Sequence, residues 1–207
     1  MTLFNLITGI HDESSCYING NKMAVWHHFC FYYESSNGLL KKEVNEMRLD
    51  RMTIKVQEAL ESAAASARTY THQEIDLEHL LLALLSQQEG LVPGILQKLN
   101  VSLAQVTQEL EDVLSKKPRV TGTRQEYISA RLRDVFDRAE SEAAALKDEF
   151  ISAEHVLLAM AEDQDSSFKK IFTHHGILKK SLLEALKEVR GVHRVTDPSP
   201  EQKYQVL

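Results

Sequence analysis

A nine-residue phrase occurs twice in this chain, and its two copies begin at Ile75 and Ile151. Six of the nine positions are identical between residues 75–83 and residues 151–159. The same offset of 76 residues relates apolar positions outside the phrase without any gap. The pairs include Val56 and Leu132, Leu60 and Phe136, Ala63 and Ala139, and Leu110 and Leu186. A duplicated unit of this length predicts two equivalent repeats packed on one another, which usually present binding surfaces rather than catalytic clefts.

The apolar residues of each copy recur at steps of three and four, which is the period of an amphipathic helix. The first stripe consists of Val56, Leu60, Ala63, Ala67 and Tyr70, and the second of Leu132, Phe136, Ala139, Ala143 and Leu146. Three further helices per copy follow from the phrase itself and from the stretches after it. The predicted fold is all-α, with two pseudo-symmetric four-helix repeats over residues 53–115 and 129–190, and eight helices in total.

The predicted helices have recognisable starts and ends. The N-caps of the first and second helices are predicted to be Thr53, Asp76, Ser129 and Ser152. Glu78 and Glu154 follow in a first helical turn, where a negative charge suits the helix dipole. Asn100 and Gly176 occupy equivalent positions, and both accept the left-handed conformation that ends a helix.

Histidines occur at the two equivalent positions 79 and 155 and at the neighbouring positions 174 and 175. We interpret His79 and His155 as buried residues that form hydrogen bonds near a helix start. The alternative is that His155 lies on the wall of a binding groove. His174 and His175 are predicted to end a helix, where histidine suits the negative end of the dipole.

The composition and motifs argue against several classes of function. A net charge of −6 gives no electrostatic reason to expect nucleic acid or an anionic membrane as a partner. The sequence contains no phosphate-binding loop of the Gly-x-x-x-x-Gly-Lys type and no Gly-x-Ser-x-Gly nucleophile elbow. We therefore predict no catalytic residue, no cofactor and no metal ion in this chain, and rank a stand-alone enzyme last.

Residues 1–46 differ from the rest of the chain. They contain the single tryptophan and show no sustained helical period. Cys16, His27, His28 and Cys30 suggest a metal site at first sight, but the Cys-x-x-Cys pairing of most structural zinc sites is missing. We predict that this extension is not part of the working protein and that translation begins at Met47, which mass spectrometry of the native N-terminus would test.

Several stretches together resemble a known family. The chain reads MRLDRMT over residues 47–53 and QEAL over residues 57–60, and its last residues include VTDP and PEQKY. Together with the doubled Glu-His-x-Leu-Leu-Ala phrase, they resemble the N-terminal region of ClpB-type protein disaggregases. The resemblance covers residues 47–207, and its two ends favour ClpB over the protease-linked relatives ClpA and ClpC.

The resemblance implies a domain organisation and a function. Residues 47–190 would form a Clp N-domain, and residues 191–207 a linker toward an ATPase domain that this chain lacks. The whole protein would be a hexameric, cytoplasmic AAA+ ATPase that uses ATP and Mg²⁺ to thread aggregated polypeptides through a pore. The partners implied are unfolded or aggregated polypeptides and the remaining AAA+ domains, with no nucleic acid and no membrane.

The same resemblance assigns candidate substrate-binding residues. Thr53, Asp148 and Glu154 match positions that the family uses to handle substrate, and Phe136 and His155 are candidate groove walls. Capping and dipole effects explain Thr53 and Glu154 equally well. The alternative function is an N-domain that docks adaptors or substrates for a Clp protease ATPase.

Overall fold

The structure is a computed structural model in which residues 49–88, 90–120, 126–191 and 194–200 are described. Within these ranges the chain forms eight α-helices, so the predicted all-α fold is confirmed. They are α1 (Ile54–Thr69), α2 (Leu77–Ser86), α3 (Leu91–Lys98), α4 (Leu103–Lys116), α5 (Ala130–Leu146), α6 (Ala153–Met160), α7 (Ser166–His174) and α8 (Lys179–Arg190). The predictions for residues 1–46 lie outside the described residues.

Short extended segments precede the helices and were not predicted. They are the strands β1 (Glu74–Ile75) and β2 (Tyr127–Ile128), which pair in parallel. A 3-10 helix, Leu49–Arg51, leads into α1. Strands of two residues are too short to leave a period in the sequence, so the helical pattern alone did not reveal them.

These extended segments exchange partners between the repeats. The N–H of Ser129, just before α5, donates to the carbonyl of Ile75, just before α2, at 3.0 Å. The equivalent N–H of Thr53, before α1, donates to the carbonyl of Ile151, before α6, at 2.9 Å. A parallel bridge between Met52 and Ile151 completes the second junction. The start of each repeat's first helix is therefore bonded to the start of the other repeat's second helix.

Helix packing also joins the two repeats. Within each repeat the first helix packs on the second, α1 on α2 and α5 on α6. The third helix of each repeat contacts the other repeat, because α3 lies against α6 and α8 while α7 lies against α4. The two repeats are therefore interlocked rather than stacked as separate bundles.

Small residues line the first helix of each repeat where it meets the second. Ala63 and Ala67 in α1, and Ala139 and Ala143 in α5, are completely buried. Alanine lets the neighbouring helix backbone approach closely. We estimate that a larger side chain there would overpack the core at a cost of about 1–3 kcal/mol.

Left-handed residues end two helices in each repeat. Asn100 and Gly176 follow α3 and α7 with φ of 57° and 67°, which confirms their predicted conformation. Thr71 and Lys147 follow α1 and α5 with φ of 58° and 61°. The second pair was not predicted, because threonine and lysine are rarely found in this conformation.

Residues 194–200 return to the helices. The N–H of Glu149 donates to the carbonyl of Val195, and the N–H of Ile54 donates to the carbonyl of Pro198, both at 2.9 Å. Val195 is completely buried. The folded part thus reaches Pro200, and the linker role of residues 191–207 stays a prediction. None of the helices in the described ranges combines the length and the apolar character that a membrane span needs.

Candidate functional site

The two junctions bring helix starts together in pairs, α1 with α6 and α2 with α5. The residues predicted to bind substrate lie at or beside the first of these pairs, except Phe136, which lies within α5. Each of them is at most 6% exposed; they are Thr53, Phe136, Asp148, Glu154 and His155. The structure therefore places them beneath the surface, and their role in substrate binding stays a prediction.

His155 forms part of the start of α6. Its Nδ1 accepts a hydrogen bond from the backbone N–H of Ser152 at 3.0 Å. Because Nδ1 accepts, the ring proton sits on Nε2, which donates to Asp148 at 2.9 Å. Both ring nitrogens are thus used inside the protein, which is the geometry expected of a histidine that fixes a helix start.

His79 plays the equivalent part at the start of α2. Its Nδ1 accepts from the backbone N–H of Asp76 at 3.1 Å, and its Nε2 lies 2.9 Å from Nδ1 of His72. Burial, with a smaller contribution from the nearby charge of Lys117, lowers the pKa of His79 to about 4. Burial also lowers the pKa of His72. Both rings therefore remain neutral at physiological pH.

A buried charged group that we call the α6 cluster consists of Asp148, Glu154, His155 and Arg190. Asp148 accepts hydrogen bonds from His155, from Arg190 and from the backbone N–H of Val195. Burial alone would raise the pKa of Asp148, but these three donors outweigh burial and lower it to about 2. Arg190 Nη1 lies 3.8 Å from Glu154 Oε1. The cluster joins the start of α6, the end of α8 and residues 194–200.

A second group, the α2 cluster, consists of Asp76, Glu78, Lys117, Arg131 and Asp163. Lys117 Nζ lies 2.6 Å from a carboxylate oxygen of both Asp76 and Glu78. Arg131 Nη1 lies 3.1 Å from the same two carboxylates, and its Nε lies 3.1 Å from Asp163. The cluster joins the start of α2 to the start of α5 and to the end of α6.

The charges of the α2 cluster stabilise one another against the cost of burial. Burial alone would raise the pKa of Asp76, but Lys117 and Arg131 bring it below its ordinary value. Burial alone would lower the pKa of Lys117, but Glu78 and Asp76 raise it. Asp76 and Lys117 therefore stay ionised near neutral pH, and pairing offsets the cost of their desolvation.

The sequence analysis missed the basic partners of both glutamates. Arg190 stands where the first repeat has Leu114, a completely buried core residue of α4. Lys117 directly follows α4 and lies between the two predicted repeats, outside both. A basic residue in an otherwise apolar stripe, as at Arg190, was the one clue that the sequence offered.

The predicted capping role of Thr53 is wrong in one respect. Thr53 occupies the N-cap position of α1, but its Oγ1 is buried and forms no hydrogen bond. Its counterpart Ser129 does cap α5, because its Oγ accepts from the N–H of Leu132 at 2.9 Å. The Ser129 hydroxyl also donates to Asp76 at 2.9 Å and so bonds one repeat to the other.

Both clusters have a structural role. Their carboxylates are paired with cations or with backbone donors, and the groups named above are buried or half-buried. Such an arrangement holds helix starts in a fixed relation.

A comparison with known protein families shows the family of this chain. The family model described as the Clp repeat (R) N-terminal domain matches residues 51–175. The chain belongs to the Clp repeat N-terminal domain family. The resemblance to the Clp N-terminal repeat proposed from the sequence is thereby confirmed.

Relatives of this Clp N-terminal domain agree in sequence and in fold. The chaperone protein ClpB of Bacillus cereus is 44% identical over 165 residues, which are 78% of this chain and 19% of that protein. The solved Hsp104 N-terminal domain from Candida albicans superposes with a TM-score of 0.63 at 20% identity, covering 72% of this chain and 98% of that one.

A further solved structure of the same fold contains a peptide. The complex of a ClpV N-domain with a VipB peptide matches with a TM-score of 0.55 at 17% identity, covering 67% of this chain and 86% of that chain. This chain itself spans about a fifth of the length of the ClpB protein it matches.

Proposed function

We propose that this chain is the substrate-recognition module of an ATP-dependent chaperone of the ClpB type. In this proposal it binds exposed apolar segments of unfolded or aggregated polypeptides. The observation that carries the proposal is the 44% identity to the N-terminal fifth of a ClpB chaperone. The AAA+ ATPase domains, their ATP and Mg²⁺, the hexamer and the cytoplasmic location belong to the rest of that protein and to the same proposal.

The peptide complex of the related fold supports a binding role. In that complex a ClpV N-domain holds a VipB peptide. Helical repeat domains recognise peptides through grooves between helices, where apolar side chains dock and backbone groups stay solvated.

We place the binding surface above the α6 cluster. It comprises the half-buried Ile54 and Lys55 at the start of α1, the exposed Glu149 that precedes the buried start of α6, and the adjoining residues 194–200. Phe150 is half-buried there, between the buried Asp148 and Glu154, and its N–H lies 3.4 Å from the carbonyl of Val195. An aromatic side chain at this point provides an apolar contact for a Leu- or Phe-rich segment. The five buried candidates, from Thr53 to His155, act by fixing the shape of this surface.

Binding at one such surface is expected to be weak and tolerant of sequence. A half-buried aromatic residue offers little area, so single-site affinity is low. Six copies held on flexible tethers around a ring raise the overall affinity through effective concentration. Weak individual contacts also allow a captured segment to be released toward a central pore.

Paired variants of the two repeat glutamates test the site. Glu154→Gln alters the α6 cluster, and Glu78→Gln makes the same change at the equivalent buried position of the α2 cluster. We expect Glu154→Gln to weaken binding of a fluorescently labelled, permanently unfolded polypeptide by about 5- to 10-fold. We expect Glu78→Gln to leave binding unchanged. Fluorescence anisotropy measures the affinity, and circular dichroism confirms that both variants are folded.

The outcome also separates this function from its alternative. Equal effects of the two variants, or no affinity of the folded chain for unfolded polypeptide, contradict the proposed function. An adaptor-docking domain of a Clp protease would require one defined peptide sequence. Scrambling the sequence of a bound apolar peptide therefore abolishes docking of an adaptor but leaves capture of apolar segments largely intact, because composition is preserved.

A further inference from the structure

A cluster of three metal-ligating side chains lies away from both charged clusters, where α4 meets α7. It consists of Glu109 in α4, His174 at the end of α7 and the following His175. Their potential ligand atoms lie within 4.8 Å of one another. Among the described residues, no other group of this kind combines histidine, cysteine, aspartate or glutamate so closely.

The three side chains converge on one point. His174 Nδ1 lies 3.0 Å and His175 Nε2 lies 3.1 Å from the same oxygen, Oε1 of Glu109. A tetrahedral zinc ion with bonds of about 2.0–2.1 Å requires its ligand atoms to be about 3.3 Å apart. The two distances to Glu109 therefore need to widen by only a few tenths of an ångström to admit the ion. The two histidine nitrogens, which lie within 4.8 Å of one another, must also come to a separation of about 3.3 Å.

Adjacent histidines rarely share an ion within a helix, because neighbouring side chains point about 100° apart. Here the helix ends between them. His175 is the C-cap of α7, with ψ of 5°, and Gly176 turns into the left-handed conformation with φ of 67°. The change of direction at the helix end lets both rings reach the same carboxylate.

The surroundings suit an accessible metal site. The His174 side chain is 71% exposed, whereas that of His175 is 8% exposed and holds the inner position. An open cleft of about 680 Å³ adjoins the cluster and is lined in part by Lys169, Lys170 and Ile171. Water can therefore reach a fourth coordination position. The two lysines repel a cation, so the affinity is expected to be moderate.

The duplication did not produce this cluster. The positions equivalent to His174, His175 and Glu109 hold Lys98, Leu99 and Ala185 in the other repeat, none of which is a zinc ligand of this type. At the symmetry-related contact of α3 with α8, an ordinary ion pair joins Lys98 to Glu188 at 3.3 Å. The ligand set is therefore specific to one of two equivalent contacts between the repeats.

We propose that Glu109, His174 and His175 form a binding site for a zinc-type divalent cation that links α4 of the first repeat to α7 of the second. Two imidazole nitrogens and one carboxylate oxygen are a ligand set that Zn²⁺ accepts, with water in the fourth position. Mg²⁺ and Ca²⁺ prefer all-oxygen sites. The sequence alone does not predict this metal site, because His174 and His175 are also explained as residues at a helix end and Glu109 is distant from them in the chain.

The test titrates zinc chloride into the full chain by isothermal calorimetry. We compare the wild type with Glu109→Gln, His174→Asn and His175→Asn. Each variant is expected to bind one zinc ion fewer per chain than the wild type, with magnesium chloride giving no comparable binding. Comparing stoichiometry also accounts for background binding by Cys16, His27, His28 or Cys30. The matched control is Glu188→Gln, which removes the symmetry-related ion pair and should bind zinc like the wild type.

A second readout reports the link between the repeats. At zinc concentrations about 100 times the dissociation constant, binding multiplies the folding equilibrium constant about 100-fold. Zinc should therefore raise the midpoint of thermal unfolding of the wild type and of Glu188→Gln more than that of the three ligand variants. Identical zinc stoichiometry in the wild type and all three ligand variants would overturn the proposal. Absence of wild-type binding tighter than about 1 mM would do the same.

Discussion

At the scale of single residues, the two glutamates of the repeated phrase occupy equivalent positions with different partners. Glu78 contacts Lys117 and Arg131, whereas Glu154 lies near Arg190. The repeated phrase predicted both positions, since each glutamate falls in the first turn of a helix. The partners come from chain segments at least 36 residues away (Arg190 follows Glu154 by 190 − 154 = 36), so the phrase carried no information about them.

His79 makes the stability of the protein depend on pH. Its pKa is about 4 in the folded state, against an ordinary value of 6.5. Between these values the unfolded chain binds a proton that the folded chain does not, so stability falls as the pH falls from 6.5 toward 4. The shift corresponds to a loss of about 3 kcal/mol across that window.

We therefore expect His79→Gln to flatten this part of the stability profile. Urea unfolding at several pH values between 7 and 4 measures the slope, and measurements stop above pH 4 because Asp148 contributes below it. The exposed His174→Gln serves as the control and should keep the wild-type slope, because His79 is intact in it. A His79→Gln profile as steep as that of the wild type would contradict the assignment.

At the scale of helices and strands, the predicted N-cap positions agree with the structure. The side chains at these positions, however, do not all form the capping hydrogen bond. Thr53 and Ser129 both occupy N-cap positions, yet only Ser129 caps with its side chain. The short strands β1 and β2, before α2 and α5, were not predicted. Whether two residues form a strand depends on the partner strand rather than on the two residues themselves.

The two N-caps provide a matched pair of substitutions. Ser129→Ala removes the cap of α5 and the hydrogen bond to Asp76, and should lower the free energy of unfolding by about 1–2 kcal/mol. Thr53→Val removes a hydroxyl that has no hydrogen-bond partner and should change stability by less than about 0.5 kcal/mol. Urea unfolding, monitored by circular dichroism, measures the free energy of unfolding of both variants. Equal losses of stability would contradict the role assigned to the hydrogen bonds of the Ser129 hydroxyl.

At the scale of the whole molecule, the repeats depend on one another. Each supplies the backbone partner for a helix start of the other, through Ile75 and Ile151. The helices α3 and α7 also pack across the division. A single repeat therefore leaves apolar surface and backbone groups without partners.

We expect residues 121–200, produced alone at micromolar concentration, to show far less helix per residue than the intact chain. Mixing them with residues 47–120 should restore helical structure, because the two fragments supply one another's missing partners. Circular dichroism measures both samples. An isolated fragment with the helicity of the intact chain would mean that each repeat is an independent folding unit.

The number of helices, their order and the duplication could all be predicted from the amino-acid sequence, since these depend on local propensity and on the apolar period. The predicted stripe is buried from Val56 to Ala67, and so is its copy, whereas Tyr70 and Leu146 at the ends of the two stripes are only half-buried. The helix ends at Asn100 and Gly176 could also be predicted, because few residue types tolerate the left-handed conformation found there.

Three features could not be predicted from the sequence and depend on how the chain folds in three dimensions. They are which helix starts meet, which cations pair with Glu78 and Glu154, and the burial of the candidate binding residues. The tertiary structure also brought Glu109 to His174 and His175, about 65 residues further along the chain. These contacts join residues distant in the chain, and each depends on how the two copies dock. The repeated sequence shows the helical pattern of a copy twice, whereas the arrangement of the two copies is encoded only once. That arrangement could therefore not be derived from the local pattern.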